Sequence, residues 1–238
     1  MPSYSADYQH LELALENCKT TFEQFKSDMG SYIARPPTDF EVERNIMWTQ
    51  MRPLNAHLSD TELHKFIQDQ IDMAAEPNYQ FFNKYSDLFS AQVISIIFIS
   101  HALCEALINA ALSLGLHHVS KDEVFSLIEK SEIKEKWAIA PAIFLQSYEL
   151  PKGGAIYENL SALCKERNAY THHKVGLTND EGQVIHQRNK FARILMDSSG
   201  TKKVEKYLNL PFVLLNHLCD QTTDSSLRFS FECLVSRR

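Results

Sequence analysis

The chain has 238 residues, of which 44% are hydrophobic and 23% charged, and its formal net charge is −6 at pH 7. That length can bury a sizeable core as one domain, or one domain with an appendage, and the composition excludes an extensively disordered chain. The acidic balance excludes bulk electrostatic capture of nucleic acid, so any such contact must be local and specific.

Only 7 Gly and 8 Pro interrupt the sequence, which leaves room for long helices and argues against a fold rich in tight turns. In chain order, Leu11, Leu15, Cys18, Phe22, Phe25, Met29 and Tyr32 recur at gaps of four and three, predicting a long amphipathic helix with one apolar seam. Arg35-Pro36-Pro37 stops it. A shorter helix is expected over residues 40–51, ending at Arg52-Pro53. Ser59-Asp60-Thr61-Glu62 is a capping-box pattern opening a helix to about residue 75, with Glu76-Pro77 as its stop. Residues 1–78 therefore read as a helical extension or lid, and residues 79–238 as a helical bundle.

The most hydrophobic predicted helix spans residues 81–114, with a break expected near Tyr85-Ser86-Asp87 and Gly115 just past its end. Part of it, residues 93–116, is apolar enough to test as a membrane span. His101, Glu105 and Asn109 lie inside it, and a charge at mid-bilayer costs about 2.5–3.5 kcal/mol, so a buried bundle helix is expected. Ser120-Lys121-Asp122-Glu123 is a second capping-box pattern, and Glu135 to Pro141 reads as a helix end and turn. Gly153-Gly154 lies in a loop without the spacing that cradles phosphates. A helix from Ala155 to about Val175 follows, then a candidate hairpin tip at Thr178–Gly182, then a helix over residues 202–219 with Pro211 inside it. The expected class is all-α.

The five cysteines, Cys18, Cys104, Cys164, Cys219 and Cys233, are odd in number, widely spaced and without a C-x-x-C pair, which fits a reducing compartment. Residues 1–7 have neither the basic nor the apolar run of a secretory signal, so a cytoplasmic location is expected.

Two groups of residues carry possible chemistry. On a helical wheel from Ile156, Leu160, Leu163 and Arg167 share a face, so Arg167 emerges beside the leucines that bury. Asn168 and His172, four apart, stack on an adjoining stripe. By average residue usage R-x4-H arises by chance in roughly one in four chains of this length and R-N-x-x-x-H in roughly one in a hundred, so the asparagine carries most of the signal. On the apolar helix, His101, Glu105 and Asn109 form a polar stripe at i, i+4 and i+8. A carboxylate there needs a partner, and Arg167 is the expected one. Such a pair serves structure as readily as function.

The stretch Lys136-Trp137, Pro141, Lys152-Gly153, Tyr157-Glu158-Asn159-Leu160 and Leu163 to Lys174 resembles the motif helix of the HEPN superfamily. Ser100-His101-Ala102-Leu103-Cys104-Glu105-Ala106-Leu107-Ile108-Asn109 is similar to that family's preceding core helix. The resemblance covers about residues 90–180 and implies a helical bundle, a homodimer, and either a metal-independent ribonuclease of toxin, defence or RNA-processing type or an inactive module binding a nucleotide, RNA or protein. It maps the family's R-x4-6-H pair onto Arg167 and His172 and its polar residue onto Asn168, with Glu105, His101, Asn109 and Tyr170 in support. No tyrosine stands two residues after His172, where a subset of toxin members has a modification site.

The residue types suit RNA cleavage without a metal or cofactor. RNA supplies its own nucleophile, the 2′-hydroxyl; imidazole moves protons near neutrality, and a guanidinium fork holds two phosphate oxygens. In a two-fold dimer, two copies of Arg167 and His172 would face one cleft. RNA or a nucleotide, a second copy and an antitoxin or other protein are the expected partners, with no membrane. A third reading, pure self-assembly, would use the seam from Leu11 to Tyr32.

Overall fold

The computed structural model describes residues 5–33, 40–171 and 198–234. Every regular element among them is helical: α1 (Ser5–Ile33), α2 (Phe40–Leu54), α3 (Asp60–His118), the single-turn α4 (Phe125–Ile128), α5 (Ile133–Ile139), α6 (Ala155–Thr171), α7 (Ser198–Asp220) and α8 (Ser225–Glu232), with 3₁₀ turns at Asp122–Val124 and Ala140–Ile143. The expected all-α class is what is observed. The expected hairpin at residues 178–186 lies outside the described residues.

The chain packs as two compact units, one formed by Met1–Phe22 with Ser90–Arg238 and the other by Glu23–Phe89. These units differ from a division at residue 78, since the first half of α1 belongs with the larger one. There Leu15, Cys18 and Phe22 are buried, and the Gln92 side chain of α3 donates to the Cys18 carbonyl at 2.9 Å. This stretch of the α1 seam is thus consumed inside the chain instead of being presented for self-assembly.

In the smaller unit the expected capping box forms. The Ser59 N–H donates to Glu62 Oε2 at 2.9 Å, and the Glu62 N–H donates to Ser59 Oγ at 3.3 Å. From that start α3 buries Leu63, Ile67 and Ile71 against Met47, Trp48, Met51 and Leu58. Trp48 stacks on His64 with ring centroids 3.9 Å apart.

Three expected boundaries move. No helix end occurs at residues 76–77 or 85–87, because α3 is continuous from Asp60 to His118. A proline removes its own N–H bond and crowds the preceding turn, a local penalty. Apolar stripes on both sides outweigh it: Leu63, Ile67 and Ile71 before, and Phe89, Val93, Ile96 and Ile97 after. Gly115 is not the residue past the helix end but lies inside α3, where a Cβ would fall 2.5 Å from the Phe144 ring. Its lack of a side chain admits that ring.

The helix ends instead at His118, and Ser120 beyond it is left-handed, with a φ of 55°. The Lys121 N–H donates to the Leu116 carbonyl at 2.8 Å and the Ser120 N–H to the His117 carbonyl at 3.0 Å, a Schellman closure. Ser120 is thereby committed to ending α3, and the expected second capping box is not formed: the 3₁₀ turn that follows has no side-chain cap.

The larger unit is built around the second half of α3. Its Leu103, Leu107, Ile108 and Leu112 are buried with Trp137, with Leu160 and Leu163 of α6, with Leu214 and Leu218 of α7 and with Phe231 of α8. α6 packs against both α5 and α7, and α7 packs against α8. Residues Ala91–His118 are long and apolar enough to cross a membrane by length and composition, and equally suit the core helix of a soluble protein.

Candidate functional site

The polar stripe of α3 and the motif helix α6 meet through α5. Ile133, Lys136 and Trp137 sit at i, i+3 and i+4 on α5, and all three are buried. Trp137 fixes the register by donating its indole N–H to the Cys104 carbonyl of α3 at 3.0 Å. Tyr148 in turn donates to the Trp137 carbonyl at 2.7 Å. So anchored, α5 carries Lys136 against α3 one helical turn from the tryptophan's neighbours.

Lys136 is the residue that the sequence reading missed. Its ammonium donates to Asn109 Oδ1 at 3.0 Å and lies 3.3 Å from Glu105 Oε1. The lysine side chain is 0% exposed, whereas that of Glu105 is 45% exposed. The partner of Glu105 is therefore Lys136 and not, as expected, Arg167. Reach decides it: Lys136 comes to the carboxylate from the buried side, where a charge most needs a counter-ion. The available signal was the spacing Ile133–Lys136–Trp137, which puts a lysine on the apolar stripe of a seven-residue helix.

On α6, Leu160, Leu163 and Cys164 are buried and Arg167 is half-buried, as the wheel predicts. Arg167 Nη1 donates to Asn168 Oδ1 at 3.1 Å. No ion pair joins Arg167 to a carboxylate among the described residues. By contrast Arg52 meets Asp60 at 2.7 Å, and Arg228 meets Glu232 at 3.0 Å.

His101, one turn before Glu105 on α3, is also half-buried. Its imidazole titrates below the ordinary histidine range, chiefly because burial disfavours the charged ring, then because the Arg167 charge repels a second cation; Glu105 pulls the other way. His101, Glu105 and Arg167 therefore share one electrostatic neighbourhood. Beneath it, burial pushes the Cys104 thiol well up and that of Cys164 up to about 11, so both stay protonated and inert near neutrality.

Tyr170 faces a different cluster. Burial first and the Glu166 carboxylate second raise its phenol. Glu166 pairs with Lys203 of α7, and Lys203 lies over the ring of the buried Tyr207 at 5.9 Å. The structure thus joins Lys136 to Glu105 and Asn109, joins Arg167 to Asn168, and groups Tyr170 with the α6–α7 contact. His172 lies outside the described residues.

A separate groove of about 300 Å³ runs between α1, α7 and α8, lined by residues including Leu15, Lys19, Leu208, Phe212, Leu215 and Glu232. None of the expected site residues lines it. Among the described residues no group of three His, Cys, Asp or Glu side chains is placed to hold a metal ion.

Comparison with family models, curated proteins and solved structures gives no significant match.

Proposed function

We propose that the chain is a metal-independent endoribonuclease of HEPN type, cytoplasmic and dimeric, acting on the phosphodiester backbone through Arg167 and His172. One observation carries this reading: Arg167 projects half-exposed from the motif helix with an amide partner and no carboxylate partner among the described residues. A guanidinium left so is available to a phosphate, whereas one locked to Glu105 would not be.

The chemistry follows from RNA itself. The 2′-oxygen attacks phosphorus as a base takes its proton. The P–O5′ bond breaks as an acid delivers a proton to the leaving oxygen. A 2′,3′-cyclic phosphate and a free 5′-hydroxyl result. Arg167 stabilises the extra negative charge that builds on the phosphoryl oxygens, and His172 transfers protons. Asn168, bonded to the Arg167 fork, orients it.

The test is cleavage of unstructured RNA by the full chain. Activity is expected to survive EDTA, to leave the cyclic phosphate, and to vanish on 2′-deoxy substrates. Acid–base catalysis contributes about 10²–10⁴-fold, so His172→Ala should be visibly impaired, as should Arg167→Ala. If wild type and His172→Ala cleave equally, or neither cleaves any substrate offered, the enzyme reading is lost. The chain is then a module that binds RNA, a nucleotide or a protein partner such as an antitoxin.

A further inference from the structure

We propose that the groove between α1, α7 and α8 is a docking site for a basic amphipathic helix of a partner protein. It is independent of the ribonuclease reading, since no residue of the motif helix α6 lines it.

The groove lies wholly within the larger unit, where the first half of α1 packs with α7 and α8. Its floor is apolar. Leu15, Leu208 and Leu215 are each no more than 3% exposed, and the half-buried Phe212 lines the same space. Leu208, Phe212 and Leu215 recur at gaps of four and three, so α7 presents one continuous apolar stripe. A volume of about 300 Å³ is at the low end for ligand pockets, so the groove holds a few inserted side chains and not a bulky ligand.

The charge around this floor leans one way. Glu12 and Glu16 stand one turn apart on α1 and Glu232 stands on α8, and against them the groove lining has Lys19. Glu232 meets Arg228 at 3.0 Å, and Arg228 also lies 3.7 Å from Asp220. With that pair included, Glu12, Glu16, Glu232 and Asp220 face Lys19 and Arg228, and the excess is still negative. Glu16 and Glu232 are exposed, so an incoming partner meets their charge before it reaches the floor.

An apolar strip edged by carboxylates is complementary to an apolar strip edged by Lys or Arg. A second copy of the chain suits it poorly, because its own net charge is −6 and two such surfaces repel. The backbone selects a helix as the occupant. Helices wall the groove, so no strand edge receives the N–H and C=O groups of an extended segment, whereas a helix satisfies its own. Apolar side chains one turn apart enter the groove, and the flanking cations reach the carboxylates of α1 and α8.

The experiment titrates the full chain into a fluorescently labelled model helix of Leu and Lys, about four turns long, with Leu confined to one face. The comparison peptide carries Glu in place of Lys. Anisotropy reads the affinity, and methyl nuclear magnetic resonance signals of Leu15, Leu208 and Leu215 locate the peptide. Saturable binding of the Leu/Lys helix is expected, weakened by added salt, with shifts at those three leucines. Phe212→Ala should weaken it about tenfold, through loss of an aromatic contact. Glu16→Lys, at an exposed helical position that does not threaten folding, should weaken it about five- to tenfold. The same variant should bind the Leu/Glu helix better than wild type does.

Absence of saturable binding, equal affinity for the Leu/Glu helix in wild type, unchanged affinity in both variants, or shifts confined to other leucines overturns the proposal. Groove signals that move with protein concentration alone place a second copy there and overturn it equally. Nothing is cleaved in this assay. A chain that binds without cleaving RNA therefore removes only the ribonuclease reading, and one that cleaves without binding removes only this docking site.

Discussion

Lys136 and Glu105 face different surroundings across their ion pair: the lysine side chain is 0% exposed and the glutamate 45% exposed. Deleting either end therefore leaves very different residues behind. Glu105→Ala strands a buried ammonium whose remaining acceptor among the described residues is Asn109, and broken buried pairs of this kind cost about 3–5 kcal/mol. Lys136→Met fills nearly the same volume with an apolar chain and leaves a carboxylate that water can reach, a change of about 1–2 kcal/mol at most. The expected order is thus Glu105→Ala well below Lys136→Met in stability, measured by urea unfolding. Equal costs, or the reverse order, would mean that the ammonium is reached by water after all. The same pair shows where residue-level reading of the sequence stops. A carboxylate on the apolar helix announced its need for a cation, and the polar stripe of His101, Glu105 and Asn109 was legible from spacing alone. Which cation answers depends on how α5 docks: the Ile133–Lys136–Trp137 spacing marks a face of that helix but does not say which carboxylate it meets.

Helices were legible wherever an apolar seam ran for several turns, as along α1 and α6, and where a cap had its full chemistry, as at Ser59 and Glu62. Helix ends were less so. Pro77 and Gly115 carry strong local signals for stopping, yet α3 passes through both positions because its flanking stripes are buried on either side. Gly115 is there for space: the Phe144 ring edge sits 2.5 Å from where a Cβ would be. Gly115→Ala would gain about 1 kcal/mol of helix propensity, but it must displace that ring, and overpacking of a core typically costs about 1–3 kcal/mol. Net destabilisation is expected, and Phe144→Leu in the same chain should relieve part of it. A Gly115→Ala protein melting above wild type would show that the ring moves aside freely.

The two tryptophans of the chain fall one in each compact unit, Trp48 in Glu23–Phe89 and Trp137 in the unit containing Ser90–Arg238. A Trp48→Phe chain therefore reports on the larger unit alone, through an indole buried against the Cys104 carbonyl. That matters because two units need not unfold in one step, and a single midpoint for the whole molecule would blend them. His101 lies in the unit that Trp137 reports. Its folded-state pKa is depressed by burial and by Arg167, so below the ordinary histidine value the unfolded chain holds more protons than the folded one. Stability then rises with pH: the His101 contribution is complete above about pH 6.5 and is lost as the pH falls through that value towards the lower folded pKa. The urea midpoint read from Trp137 should accordingly drop between about pH 7.5 and pH 5.5, above the range where most carboxylates titrate. Introducing His101→Gln into the Trp48→Phe chain keeps a polar group on the stripe but removes the proton site, and the drop should shrink. An undiminished drop in His101→Gln would place the linked proton on another group and separate His101 from the charge of Arg167.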